Sequence, residues 1–562
     1  ELKLYNISPE MLLGRLKFLE AKSEGQSPLA GKLHDLALLY RDLEEYLAPR
    51  YTDPEAYLSH LAIQLLEATS LQGSHVWVDG FSGFTPQEFQ VLASLMRTAA
   101  QVEIALCLDH MELSRPLAET DLFHPTRETY QKLVALARAE GASLQPALVL
   151  DDPTVLPPRF AAAPELAHLE RSFFHYPARP WTGDAPGLKL TVAANRRVEV
   201  EAAARGMIQL ARDKGLRWRD MALIVRDLET YQDLITAVLT DYGIPHFVDR
   251  KRPVLHHPLS QLVLAALEVF TTNWSYEAVF RALKTDLFPL SRSQVDYLEN
   301  YVLAYGIRGQ CWLQKEDWTF HEADEHAVHY WRAVESLRRR VVAGFQPLTR
   351  VCQRGDQVTG GDLTAALWTF LSELKVGSTL EGWARQAEEQ GDLAAAQEHT
   401  QAWSGFLDLL DELLIGLGDT LLTPVEYAEI LASGLESLRL GLVPPSLDQV
   451  LVGGLERSRH PNVRAAFVLG INDGVLPGRV KEDAVFTDRE REDLKATGLE
   501  LAPTSRQNQF HEDYLTYIAL TRASEFLWLS FPLADEEGRA LTPSRVITRL
   551  RSLFPHLVEL YA

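Results

Sequence analysis

Leu33, Leu36, Leu38, Leu39, Leu43 and Leu47 recur near the 3.6-residue period, so the first 70 residues read as helices. The pattern then changes. His75-Val76-Trp77-Val78-Asp79-Gly80 is a short β-type run ending in a carboxylate and a glycine, and residues 102–109 form a second, with a helical stretch from Pro86 to Thr98 between them. Strand, helix and strand at this spacing predict a βαβ unit of a parallel sheet. A Pro- and Ala-rich passage from about 151 to 186 reads as a surface connection. Behind it come a strand at 188–192, an amphipathic helix at 198–214, a strand at 221–226 and a helix at 231–242 closed by Gly243. From about 257 to 445 the pattern is almost wholly helical, with Leu259, Leu262, Val263, Ala266, Leu267 and Phe270 on one face. Strand patterning returns at 449–454, 465–470 and 525–531. Strands of similar character flank the helical stretch, which therefore reads as an insertion into one α/β domain.

Composition bounds the class. A chain of 562 residues predicts three to five domains, and its 46% hydrophobic and 23% charged residues are near globular averages. No apolar run reaches the roughly 18 residues needed to span a bilayer. The three cysteines, Cys107, Cys311 and Cys352, are too scattered for a disulfide framework or a Cys-x-x-Cys metal site, and a cytoplasmic location is expected. The chain starts at Glu1 with no basic-then-apolar leader and is expected to be a piece of something longer. The formal charge of -22 argues against a protein that coats nucleic acid, but leaves room for a DNA channel lined by a few basic side chains. The clusters Arg196-Arg197, Arg250-Lys251-Arg252 and Arg338-Arg339-Arg340 read as solvated faces.

Four segments bear on chemistry. In nucleotide hydrolases a strand delivers an Asp to its carboxyl end, where open α/β sheets bind ligands and the carboxylate holds Mg²⁺. Asp79 has that position, but Gly80 stands where an acidic partner would position water. A phosphate-cradling loop would read Gly-x-x-x-x-Gly-Lys-Ser/Thr; the near match from Gly25 to Leu33 has the wrong spacing and Leu33 in place of the hydroxyl. In the stretch from His511 to Ala523, Leu515, Ile518, Ala519 and Arg522 share one helical face, which puts an arginine at the end of a buried stripe. Such an arginine is able to reach a phosphate across a domain cleft. Aromatic side chains stack bases in single-strand channels. Trp77 and Trp528 sit in strand patterns and read as core, whereas Phe81 and Phe84, in a Gly-containing loop, are the stacking candidates.

Tyr517 to Ala523, followed by the strand with Leu527 and Leu529, resembles the last helicase motif of the UvrD and RecB class. About fifty residues earlier, Arg457-Ser458-Arg459-His460 and then Ala466 to Pro477 resemble the preceding motif with its Asn-x-Gly-x-x-Pro turn. The closer similarity is to the AddB family. It is carried by Asp79 to Glu88, by Tyr242 to Phe247 with His256-His257-Pro258-Leu259, and by Leu501 to Arg506. The chain departs from active relatives at Gly80 and at Arg459-His460-Pro461-Asn462, where those carry Asp-Glu and Lys-Gly-Leu-Glu.

The resemblance implies an α/β fold of helicase-type, RecA-like parallel-sheet core domains with a large all-α insertion. Its expected layout is a first core domain with a helical subdomain at 1–185, a second core domain at 186–256 and 446–540, the insertion at 257–445, and 541–562 leading into a nuclease domain. It implies an inactivated helicase fold that guides DNA within a helicase/nuclease acting in double-strand break repair and homologous recombination. Asp79 and Arg522 would then be nucleotide-binding remnants, and Phe81, Phe84, Arg226 and Arg459 would bind DNA. Partners are expected to be single-stranded and duplex-end DNA and an AddA-type subunit in a heterodimer, with no membrane. ATP and Mg are expected in the full complex and an iron-sulfur cluster only in a C-terminal domain, with no cofactor and no catalytic residue in these 562 positions. Two alternatives stay open: an active helicase subunit with Glu88 as its acid, and a structural subunit that braces a catalytic partner without touching DNA.

Overall fold

A computed structural model describes residues 1–22, 28–47, 56–109, 116–150, 157–177, 179–249, 251–318, 325–354, 358–441, 448–455 and 463–562. Among these described residues eleven strands run in chain order: β1 (His75–Val78), β2 (Gln101–Ile104), β3 (Leu188–Ala193), β4 (Met221–Val225), β5 (His246–Val248), β6 (Lys251–Pro253), β7 (Arg439–Gly441), β8 (Val450–Gly454), β9 (Ala465–Leu469), β10 (Phe526–Pro532) and β11 (Glu559–Tyr561). Seven of them form one sheet in the order β11-β3-β10-β9-β4-β8-β5, with every pairing parallel. β1 and β2 make a second, parallel pair, and β6 and β7 an antiparallel one. The chain divides into two compact units: Glu1–Asp249 with Ser446–Ala562, and Arg250–Pro445. The α/β class with large helical parts is as expected.

The middle of the seven-stranded sheet is buried on both faces because β4, β9 and β10 are apolar at nearly every position, as parallel strands between helix layers must be, whereas the edge strand β11 has no buried residue. Leu190, Val192, Ile224, Val468, Leu527 and Leu529 point to one side, where the helices Pro164–Ser172 and Arg545–Leu553 add Leu166, Leu169, Ile547 and Leu550. Leu223, Val225, Phe467 and Trp528 point to the other, against Val200 and Met207 of the helix Arg196–Lys214 and Ile235 and Leu239 of Leu228–Asp241. Inside this layer the buried Glu199 accepts hydrogen bonds from the Tyr231 hydroxyl (2.7 Å), the Ser530 hydroxyl (2.7 Å) and the Gly470 N–H (2.9 Å). That network ties helix, strand β10 and the turn after β9 together. Residues 541–562 add the helix Arg545–Leu553 and the edge strand β11 to the same sheet.

The second unit is helical around a single large core, from Leu259, Leu262 and Val263 to Tyr427 and Leu431. Its strands β6 and β7 pair where the chain enters and leaves it. The basic run at 338–340 is not wholly a solvated face. Arg338 is 4% exposed, bonds Glu335 at 2.5 and 2.8 Å and donates to the carbonyls of Trp312 and Gln314. A guanidinium with five donors satisfies several carbonyls at once, so this arginine organises the loop after Gly309–Trp312 from within. Arg250 lies outside the described residues.

Candidate nucleic-acid interface

β1 carries Asp79 just past its carboxyl end. The carboxylate is exposed, and its Oδ1 accepts the N–H of Gly80 at 2.7 Å. Gly80 has φ +80°, a conformation that a β-carbon disfavours, and so turns the chain sharply into the loop that follows. Trp77, expected in the core, is instead 68% exposed, because no described element covers its side of β1. Trp528 is core: it is 4% exposed and stacks on Phe467 at 5.5 Å.

The loop after Gly80 gathers aromatic rings. Phe81 and Phe84 stack with centroids 5.1 Å apart, and Phe84 meets Phe89 edge-on at 5.7 Å. The Ser82 carbonyl accepts from the Thr129 hydroxyl at 3.2 Å, which anchors the loop to the helix His124–Ala139. At the loop's end Thr85 caps the helix Pro86–Thr98, accepting the Glu88 N–H at 3.3 Å while its own N–H donates to Glu88 Oε2 at 2.7 Å. Glu88, the alternative acid, is thereby engaged as the return arm of a capping box.

Phe84 lines a cleft of about 860 Å³. One wall consists of the Ser82–Phe89 segment with His124, Glu128 and Lys132; the other is built from residues 491–511, including Arg491, Lys495, Gln507, Asn508 and His511. The helix Ser505–Leu520 presents part of this second wall. It starts from a Thr504–Gln507 capping box, and Asp488 accepts the Ser505 N–H at 2.8 Å. The Leu501–Arg506 segment that resembles the AddB family thus forms a rim of the cleft. Several of its cations face acids. Lys132 reaches Glu500 at 3.3 Å, and Arg491, 5% exposed, bonds Glu1 at 2.6 Å, Asp483 at 3.0 Å and the Ala502 carbonyl at 3.0 Å. Burial would raise the Glu1 carboxyl, but Arg491 and the Ala502 N–H hold it below its ordinary value.

Two further candidates meet the helix Ser505–Leu520 away from the aromatic loop. Arg226, just past β4, forks onto Glu512 of that helix at 2.6 and 3.2 Å, and Glu512 also accepts the Gly478 N–H at 2.7 Å. This bidentate pair joins the strand end to the Asn472–Gly478 turn. Arg522 follows the helix end, half-buried, with the Arg159 guanidinium donating to its carbonyl. Burial and the Arg159 charge hold the Arg522 guanidinium below its ordinary pKa, while the nearby Tyr514 opposes them. Arg459 lies outside the described residues. Phe81 and Phe84 come together; Arg226 and Arg522 gather about the helix that contributes to the opposite wall, without lining the cleft; Asp79 stands apart. His124, Lys132, Gln507, Asn508 and His511 are additions that no local spacing announces, since the two walls are far apart in sequence.

Asp79 does not fit a magnesium–nucleotide site by itself: among the described residues no three His, Cys, Asp or Glu side chains gather as metal ligands. Cys107, Cys311 and Cys352 are free thiols. No described helix is long and apolar enough to cross a membrane.

The family model described as "ADDB, N-terminal" matches residues 1–170. Over the whole chain, the sequence is 52% identical to the B-type subunit of the ATP-dependent helicase/deoxyribonuclease of Moorella thermoacetica, 50% identical to that of Desulforudis audaxviator, and over 99% of the chain 47% identical to that of Symbiobacterium thermophilum. The chain spans about half the length of these relatives, 49% in each case. The similarity to these AddB-type subunits runs the full length of the chain, from the aromatic loop to the helix on the far wall of the cleft.

Proposed function

We propose that this chain is the DNA-guiding, motor-inactive helicase-like region of an AddB-type protein, and that single-stranded DNA lies in the cleft beside Phe84. The observation that carries this reading is the Phe81–Phe84–Phe89 ring cluster presented at a cleft whose far wall offers amides, imidazole and cations. Every base has a π-face, so rings of this kind hold single strands with little regard to sequence. The motor-inactive part is supported by Gly80 beside Asp79 and by the engagement of Glu88 in its helix cap. On this reading ATP and magnesium are used elsewhere in the complex and an iron-sulfur cluster belongs outside these residues. The partner is an AddA-type subunit, the substrate a duplex end undergoing double-strand break repair by recombination, and the compartment the cytoplasm.

The test is a titration of the native complex with a fluorescent single-stranded oligonucleotide, comparing wild type with Phe84→Leu. Leucine keeps apolar volume and removes the ring. Affinity is expected to fall roughly 5- to 150-fold, the equivalent of about 1–3 kcal/mol for one stacked base, with the melting temperature nearly unchanged. An affinity within twofold of wild type would remove Phe84 from the DNA path. A second reading, a brace that touches no DNA, is favoured by the acid partners of Lys132 and Arg491 and by the net charge of -22. It predicts no salt-sensitive binding at all in the same titration.

A further inference from the structure

In the helical unit, the helix Leu393–Leu417 turns into the helix Pro424–Ser437 at a corner that points apolar side chains outward. Leu414, Ile415, Leu421 and Val425 leave 50%, 84%, 64% and 49% of their surface in water. One exposed leucine needs no explanation, but four large aliphatic side chains on one corner do. The corner is not frayed. The Leu422 N–H donates to the Val358 carbonyl at 2.9 Å, the Gly360 N–H to Thr420 at 2.8 Å and the Gly361 N–H to Gly418 at 3.0 Å. Thr359 and Leu421 also pair in an isolated antiparallel bridge. A β-carbon on Gly361 would lie 2.9 Å from the Gly418 carbonyl oxygen, so the two backbones lie directly against each other. Leu422 and Tyr427 of the same corner are buried, and the outward side chains are therefore held out by a fixed backbone.

The charge around these side chains has one sign. Between Arg385 and Arg439 the sequence holds eleven Asp or Glu and no Lys or Arg. Asp408, Asp411, Glu412 and Ile415 share the exposed face of the long helix, and Asp419 and Glu426 follow, both exposed, at the corner. Among the described residues no Lys or Arg pairs with Asp408, Asp411, Glu412 or Asp419; Arg354, nearby in the fold, is 3.9 Å from Asp362 instead. Such a surface selects its occupant. Its carboxylates repel the phosphates of nucleic acid and of anionic lipid. A second copy of the same corner across a two-fold axis would set acid against acid. An amphipathic helix with Lys and Arg beside its apolar stripe matches both features, laying the stripe on Ile415 and Leu421 and the cations on the carboxylates. We infer that this corner is the docking face for a basic amphipathic helix of the other subunit of the complex. The inference rests on the proposed assembly with a second subunit and not on the proposed DNA path.

The experiment uses the polypeptide that the whole gene encodes, in its native complex. Ile415→p-benzoylphenylalanine and, separately, Leu421→p-benzoylphenylalanine place a photocrosslinker at exposed positions, and crosslinked peptides are mapped by mass spectrometry. Both probes are expected to mark one Lys- and Arg-bearing segment of the other subunit. Adding Asp411→Lys with Glu412→Lys should lower that crosslink yield roughly tenfold at low salt, with the difference closing as salt is raised. An unchanged yield would overturn the basic partner. Crosslinks to the same polypeptide, to a second copy of it or to DNA would overturn the inference, as would an intact complex in which neither probe marks the other subunit. A polypeptide that purifies with no second subunit would overturn the proposed assembly and the inference together. The paired probes guard against one variant failing to fold.

Discussion

His257 shows how a single buried ring sets a pH limit on the helical unit. It caps the helix Pro258–Thr271, its Nδ1 accepting the Leu259 N–H at 3.2 Å, which leaves Nε2 as the protonated nitrogen that donates to His399 Nδ1 at 3.0 Å. Burial, and then the neighbouring His399, push His257 down to about 4, and burial also lowers His399 against the opposing charges of Glu398 and Asp392. Both rings are therefore neutral at pH 7. Protonating His257 at Nδ1 would remove the lone pair that holds the helix cap. Because the folded value lies below the ordinary value near 6.5, the stabilisation is complete above pH 6.5 and is lost as pH falls toward about 4. Urea unfolding of the helical unit is expected to lose on the order of 2 kcal/mol between pH 7 and about pH 4.5. His257→Asn keeps a capping acceptor and should flatten that dependence; an equally steep loss in the variant would show that other groups cause it.

At the scale of elements, the helix Arg196–Lys214 is fitted to its sheet by small residues. Ala202, Ala203 and Ala204 are buried, and a β-carbon on Gly206 would meet a Trp528 ring atom at 2.8 Å and Phe467 at 3.1 Å. Gly206→Ala gains up to about 1 kcal/mol of helix propensity. It also forces two stacked rings apart in a filled core, which costs about 1–3 kcal/mol. The second effect is the larger, so the variant should melt lower than wild type in a calorimetric scan; an unchanged or higher transition would mean the rings have room to move. The strands facing this helix are legible in the sequence because β4 and β9 are unbroken apolar runs, and β10 is one but for Ser530, a pattern that a doubly covered sheet accommodates. β5, β6 and β7 are not, since each is three residues long and the last two begin with Lys251 and Arg439, which carry no strand signal alone. Trp77 departs from its expected burial for the complementary reason: a strand pattern implies a covering layer, and none of the described elements supplies it. Leu39 and Leu43, on the expected apolar stripe of their helix, are 68% and 49% exposed, because the face that packs is that of Leu29, Leu33, Leu36 and Ala37.

On the scale of the molecule, Phe81 and Phe84 stand out in the sequence through their glycine-bearing loop, but their setting does not. The opposite wall comes from residues some four hundred positions later, and nothing in the spacing of Gln507, Asn508 and His511 says what they face. Arg226 has the sequence context of a phosphate ligand, yet its fork is on Glu512, a partner that only the folded sheet brings near. The topology also bears on how the molecule assembles. β5 and β8 are hydrogen-bonded neighbours, with Val248 opposite Val452, although the whole helical unit lies between them in the chain. Bringing such distant strands together from an open coil carries the closure entropy of a very long loop. The β6–β7 pair shortens it: once the helical unit has folded, the segments adjoining β5 and β8 are already held side by side. Contact order thus falls in one step, and the slowest pairing in the sheet becomes a local one for a chain whose insertion has matured. Leu440→Pro, which breaks the β6–β7 pair, should slow refolding of the seven-stranded sheet in stopped-flow fluorescence, and an unaltered rate would mean the sheet closes without waiting for its insertion.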